Sequence, residues 1–399
     1  MERTQPVPAT PARGSPPHPA RPPHLWQVDV LRLAPMLGMI GVHVLLFSAP
    51  ASSRWSGAAL IVLHVTREVF FFISAFVLTY ALSADRYVFG VRAFWRRRYP
   101  VVAAPYLAWT LLYWALLTVL AWPRHPDVRG LGVDLLTGWF HLYFLLVTLQ
   151  LYAVYPLLAW LVRRLRRHPW ALLGASGAVQ LGLTALLQYR PDLIPSGVLG
   201  FFIYAPIELT SYQFYFVAGA LAAAHLDECV RFVRRHWRGL RQTLVFVLIG
   251  AEACYLVNLH LGQSPPQASG VFQPVVLPLV LAALTGTWML AERLRSWFPP
   301  RSVAWRRIRV AADHSFAVFL AHAVLLIAVL RPGVDRVLGL GDLPWPTLAA
   351  VRFVLVLTGA ALLVALLRWT PLSWLLTGRP SRLPHWRLRH WRLWPGAPA

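Results

Sequence analysis

A chain of 399 residues that is 57% hydrophobic and only 13% charged, with a mean hydropathy of +0.54, carries more apolar side chains than a soluble core of that size buries. The surplus must face lipid, which excludes an ordinary soluble domain. The formal charge of +23 rests on arginine alone, without a single lysine, and these arginines punctuate long apolar runs instead of lining a soluble face, so no nucleic-acid partner is expected.

In chain order, residues 1–24 are rich in proline and nearly free of large apolar side chains, so they have nothing to bury and are expected to form a disordered tail. Beyond them, a helix needs about 20 apolar residues to cross roughly 30 Å of hydrocarbon. About ten such stretches follow, at 28–49, 57–82, 100–122, 138–162, 170–189, 198–224, 241–260, 271–291, 311–330 and 347–369. The expected fold class is therefore all-α, a polytopic membrane protein, with a membrane domain over 25–372. Residues 373–399 alternate arginine with tryptophan and read as a basic tail, suited either to anionic headgroups or to water.

Arginine bias assigns the sides, because short loops heavy in arginine stay in the cytoplasm. The tail and the even-numbered loops, including Arg92, Arg96, Arg97 and Arg98, hold most of the arginines, whereas the odd-numbered loops hold only Arg54, Arg124, Arg129, Arg190, Arg331 and Arg336. An even number of spans with both termini cytoplasmic satisfies this alternation. The two cysteines, Cys229 and Cys254, fall at different depths, which disfavours a disulfide. No metal-ligand spacing occurs, so no metal is expected.

Ionisable groups within spans are functional candidates by default. His43, His64, Arg67, Glu68, His141, Glu208, Glu252 and His322 all fall within roughly 9 Å of one depth at 1.5 Å rise per residue, in one half of the membrane. Arg32 and His43 are separated by eleven steps of 100°, which places them within about 20° of one helix face and about 16 Å apart along the axis. Asp29, three residues before Arg32, is positioned to hold its guanidinium. His64, Arg67 and Glu68 share a face of the second span. An arginine near one mouth suits phosphate, and an imidazole deeper in suits proton abstraction from a hydroxyl, with Glu68 orienting the ring. An ion-paired structural network would give the same depth pattern, and a lone intramembrane histidine also serves as a helix-pairing group.

The stretch VDVLRLAPMLGMIGVHV (28–44) resembles the opening of the membrane acyltransferase-3 family, in which an Asp-Gly-Leu-Arg turn begins the first helix and an essential histidine follows the arginine after ten intervening residues. Asp29, Arg32 and His43 occupy those places, with Val30 in place of the glycine. TREVFFFISAFV (66–77) is similar to the family's second-helix signature, with Glu68 at the acidic place, Ser74 at the serine and Ala75 in place of a glycine. FWRRRYPVVAAPYLAW (94–109) resembles its basic loop and proline-containing third helix, but without two arginines three apart. HLYFLLVTLQLYAVYPLL (141–158), YFVAG (215–219) and DHSFAVFLAH (313–322) resemble later helices.

The resemblance implies an O-acyltransferase of the plasma membrane, with no bound cofactor and with acyl-coenzyme A as cytoplasmic co-substrate. The acceptor it implies is a hydroxyl on a glycan, a lipid or a small molecule. His43 would be the base, with Arg32, Arg97 and Arg98 near the donor. The competing expectation is an exporter of polysaccharide or lipid-linked material, since transport paths also use intramembrane ionisable layers.

Overall fold

The computed structural model describes residues 23–83, 90–121, 127–195, 208–299 and 301–383. The proline-rich stretch 1–22, the basic stretch 384–399 and the first half of the expected sixth span, 196–207, lie outside these residues. The described chain is helical, in the order α1 (Trp26–Ser48), α2 (Arg54–Leu63), α3 (Val65–Ser83), α4 (Val91–Leu120), α5 (Val128–Thr137), α6 (Tyr143–Arg164), α7 (Pro169–Tyr189), α8 (Gln213–Ala224), α9 (Leu226–Arg235), α10 (Trp237–His260), α11 (Pro265–Ala268), α12 (Val276–Trp297), α13 (Val303–Val329), α14 (Pro332–Val337), α15 (Trp345–Leu367) and α16 (Ser373–Thr377).

Among the described residues, nine helical segments are long and apolar enough to cross a membrane, with α2 and α3 counted as one. They coincide with nine of the ten expected stretches. The remaining one, 198–224, is described only from residue 208, as a single 3-10 turn at Leu209–Tyr212 followed by α8, whose residues are almost all buried. Helical geometry satisfies every mid-helix backbone group internally, which is why such segments can face hydrocarbon.

Two local departures from the expected spans occur, at His64 and at the start of α4, while α1 runs as expected. The second span has a one-residue turn at His64, whose ring Nδ1–H donates to the Ser269 carbonyl at 2.7 Å. α4 starts at Val91, so Arg92, Arg96, Arg97 and Arg98 belong to its first two turns and not to a loop. Pro35 lies in the middle of α1 without interrupting it, so Arg32 and His43 stay on one continuous helix.

α1 is wedged among α3, α12, α13 and α15, while α3 packs most closely along α8. That last crossing depends on Gly219, whose Cα lies against the Phe72 carbonyl, so a Cβ there would run into α3 backbone. Aromatic side chains of α3, α6, α8 and α13 fill the centre, with Phe71 and Tyr212 fully buried at 4.3 Å between ring centroids. α10 and α15 are mostly exposed, as lipid-facing helices should be. At the opposite end of α1 from His43, Arg295 stacks on both Trp26 and Trp305, centring its guanidinium 5.3 Å from each ring.

The first residues after the expected boundary at 372/373 form a short helix packed against α4. α16 buries Ser373 and Thr377, and the Trp109 indole of α4 donates to the Leu376 carbonyl at 2.9 Å. Gly219→Val should destabilise the protein by about 1–3 kcal/mol through overpacking, read as a lowered unfolding temperature in detergent; an unchanged temperature would contradict the close α3–α8 approach.

Candidate active site

Three histidines from separate elements meet at the C-terminal ends of α1 and α13. His43 comes from α1, His322 from α13, and His141 from the turn that leads into α6. That turn is tight, since Gly138 has φ +80° and a Cβ there would strike Tyr143 backbone. Phe140 follows at φ 48°, a left-handed conformation that costs a non-glycine residue roughly 1–2 kcal/mol. The strained turn lays the Phe140 ring against His43, at 4.4 Å between centroids, and inserts His141 beside His322, at 4.6 Å.

The hydrogen bonds of this cluster assign its protons. His322 Nδ1 lies 2.6 Å from the Phe319 carbonyl, which can only accept, so Nδ1 carries a hydrogen. In a neutral ring the other nitrogen, Nε2, is then an acceptor. His43 Nδ1 sits 2.8 Å from that Nε2 and must donate to it. The remaining nitrogen of His43, Nε2, is thereby left with its lone pair free. The arrangement is an oriented imidazole with one ring nitrogen able to accept a proton, held in place by a second imidazole.

Aromatic rings enclose the cluster. Tyr113, Trp139 and Phe319 stand around His141, and the Tyr113 hydroxyl donates to the Leu320 carbonyl at 2.7 Å. Neither nitrogen of His141 has a hydrogen-bond partner among the described residues, although the ring is only 2% exposed. His43 is less buried than its neighbours.

The other expected site residues divide into groups. Glu68 does not contact His43; it accepts from Arg67 Nε and Nη2 at 3.0 and 2.6 Å, so the expected orienting role falls to His322. Adjacent residues on a helix do not normally face each other. They do so here in the first turn of α3, where the guanidinium also covers the Tyr212 and Phe272 rings at 4.8 and 5.5 Å. His64 stays within electrostatic reach of His43 while bonded to Ser269.

Glu208 and Glu252 do not join the cluster. The Glu208 Oε2 atom is unpartnered, and Glu252 makes no hydrogen bond or ion pair among the described residues. Asp29 accepts from His24 Nε2 at 2.9 Å and not from Arg32. Arg32, which makes no hydrogen bond among the described residues, instead lies in the combined field of Asp29, Asp313 and Arg379, with Asp313 bonded to Arg379 at 2.7 Å. Arg97 is exposed and Arg98 partly buried, and neither makes a hydrogen bond or ion pair among the described residues. No group of three or more His, Cys, Asp or Glu with metal-holding geometry occurs among the described residues.

The sequence reading missed Phe140 and the pairing of His43 with His322. The Gly-Trp-Phe-His run at 138–141 was the available signal, since a glycine three residues before a polar side chain marks a turn that can aim it inward. Removing one partner of the buried Arg67–Glu68 pair should destabilise by about 3–5 kcal/mol. Arg67→Met alone is therefore expected to unfold at lower temperature than the double variant Arg67→Met/Glu68→Leu, and the reverse order would contradict the pairing.

The model of the acyltransferase-3 family, described as an acyltransferase domain, matches residues 25–369, nearly all of the described bundle. Neither a curated protein nor a solved structure matches the chain. A match of that extent, over apolar helices that converge on an oriented intramembrane histidine, makes this chain a member of the acyltransferase-3 family and a multi-pass membrane acyltransferase.

Proposed function

We propose that the protein is an O-acyltransferase of the plasma membrane that moves an acyl group from an acyl-coenzyme A donor on the cytoplasmic side to a hydroxyl of a glycan, lipid or small-molecule acceptor. The observation that carries the reading is the chain of hydrogen bonds from the Phe319 carbonyl through His322 to His43, which leaves His43 Nε2 as a free base. The arginine distribution supports the topology, with the start of α1 on the cytoplasmic side and the histidines toward the opposite one.

In this mechanism the acceptor hydroxyl gives its proton to His43 Nε2 as its oxygen attacks the thioester carbonyl carbon. His43 becomes an imidazolium, with charge drawn toward His322 through the Nδ1–H bond. The tetrahedral intermediate collapses with cleavage of the carbon–sulfur bond, and the departing thiolate takes the proton from Nε2. An ester and a free thiol result, and the histidine returns to its starting form. Burial among aromatic rings keeps water from competing with the acceptor.

Arg32 lies on the same helix about 16 Å toward the cytoplasmic end at 1.5 Å per residue. Its guanidinium, without a fixed partner, suits donor phosphates, so the extended arm of the donor would run along α1 from phosphate to thioester. Arg97 and Arg98 add positive potential at the cytoplasmic end of α4 without touching that path.

Membranes containing the wild type should transfer radiolabelled acyl groups from acyl-coenzyme A, whereas His43→Ala should lose at least about 100-fold, the upper part of the range for removing a general base being 10⁴. His322→Ala should lose up to about 10⁴-fold, because the base remains but its tautomer is no longer fixed. Equal label transfer by wild type and His43→Ala would overturn the proposal, and loss of polysaccharide flux without any acyl change would favour the exporter.

A further inference from the structure

Arg352 of α15 is an intramembrane arginine with no part in the chemistry above. It is only 6% exposed, yet it is anchored in two directions. Its Nη2 donates to Asp335 Oδ2 at 2.7 Å, and its Nη1 donates to Ser48 Oγ at 3.1 Å and to the Phe47 carbonyl at 3.4 Å. Ser48 and Phe47 form the last turn of α1, which has no basic residue of its own to satisfy its terminal carbonyls. Arg352 supplies that cap from another helix.

The anchored groups are those that hold the histidine pair. Phe47 lies one turn beyond His43, and its ring packs 6.0 Å from Phe140, the same ring that lies against His43. Asp335 belongs to α14, which follows directly on α13, the helix that carries His322. One guanidinium therefore joins the end of the His43 helix to the segment that continues the His322 helix.

We propose that Arg352 and Asp335 are positioning residues, a clamp that fixes the end of α1 and with it the His43–His322 separation required for proton transfer. The clamp rests on the reading of His43 as the base, because it acts through that side chain and touches no reacting atom. Its energetic lever is registry: displacing a catalytic group by 1 Å can slow a reaction about 100-fold. A pair kept only for stability would have no such lever, since a buried ion pair is weak support for folding and is often replaceable by apolar residues.

The test uses the full chain in detergent or vesicles and two readouts. Arg352→Gln should lower kcat about tenfold or more while leaving donor KM within about twofold, since the clamp is remote from Arg32. The exchange Arg352→Asp/Asp335→Arg should recover part of that kcat by restoring the ion pair. Independently of turnover, carbethoxylation of His43 by diethyl pyrocarbonate, read by peptide mass spectrometry without substrate, should accelerate severalfold in Arg352→Gln, because an untethered α1 end exposes the ring. If that variant does not fold, Ser48→Ala removes one of the two bonds to α1 and should give a smaller acceleration in the same direction. A His43 modification rate equal to the wild type in the folded variant overturns the clamp. Activity that survives in His43→Ala would sink the role of His43 as base, while the modification rates would still decide the clamp.

Discussion

The contact on which the rest of the structure depends is the hydrogen bond between His43 and His322, 2.8 Å long and formed across two helices far apart in sequence. In hydrocarbon an imidazole left without a partner is costly, and His43 and His322 avoid that cost by bonding each other. His322 finds the carbonyl of its own helix one turn back, and that choice fixes its tautomer. The fixed tautomer then determines which nitrogen of His43 donates and which stays free. Helix packing around α1 follows from the need to bring these rings together: α13 supplies one, the strained turn before α6 supplies a neighbour, and α15 ties down the helix end.

The site retains polar atoms that an inert core would not. Both nitrogens of His141 and the Oε2 atom of Glu68 are buried and unpartnered among the described residues. An unsatisfied buried group of this kind costs about 1–3 kcal/mol, and the left-handed Phe140 adds strain in the same place. The surrounding aromatic packing offsets these costs. The unpartnered nitrogens of His141 and the left-handed Phe140 lie beside the histidine pair, unlike the polar network at Asn258, Gln273 and Tyr189, where each side chain is bonded to its neighbours and serves to join helices.

How much of this was legible beforehand follows the physics of each signal. Long apolar runs between arginines mark spans with little ambiguity, which is why nine of them coincide with helices. The depth of His43, His141 and His322 was readable from counting residues, because helical rise is nearly constant. Lateral position was not, and depth alone grouped Glu208 and Glu252 with the histidines although they stand apart from them. The i, i+3, i+4 pattern of His64, Arg67 and Glu68 did not reveal their partners: His64 bonds to Ser269, while Arg67 and Glu68 bond each other. Arg352 is invisible as a positioning group in the sequence, since its partners Asp335 and Ser48 are separated from it by a loop and by most of the chain.

Whether the histidine pair is the reaction centre is tested most directly by a density map of the protein in a lipid nanodisc with a non-transferable 2-oxoalkyl thioether analogue of acyl-coenzyme A, which keeps a carbonyl. The ketone carbonyl of the analogue is expected beside His43 Nε2, with the donor phosphates toward Arg32. An analogue bound with its carbonyl remote from His43, and with the imidazole pair unchanged and closed off by Phe140, would contradict it.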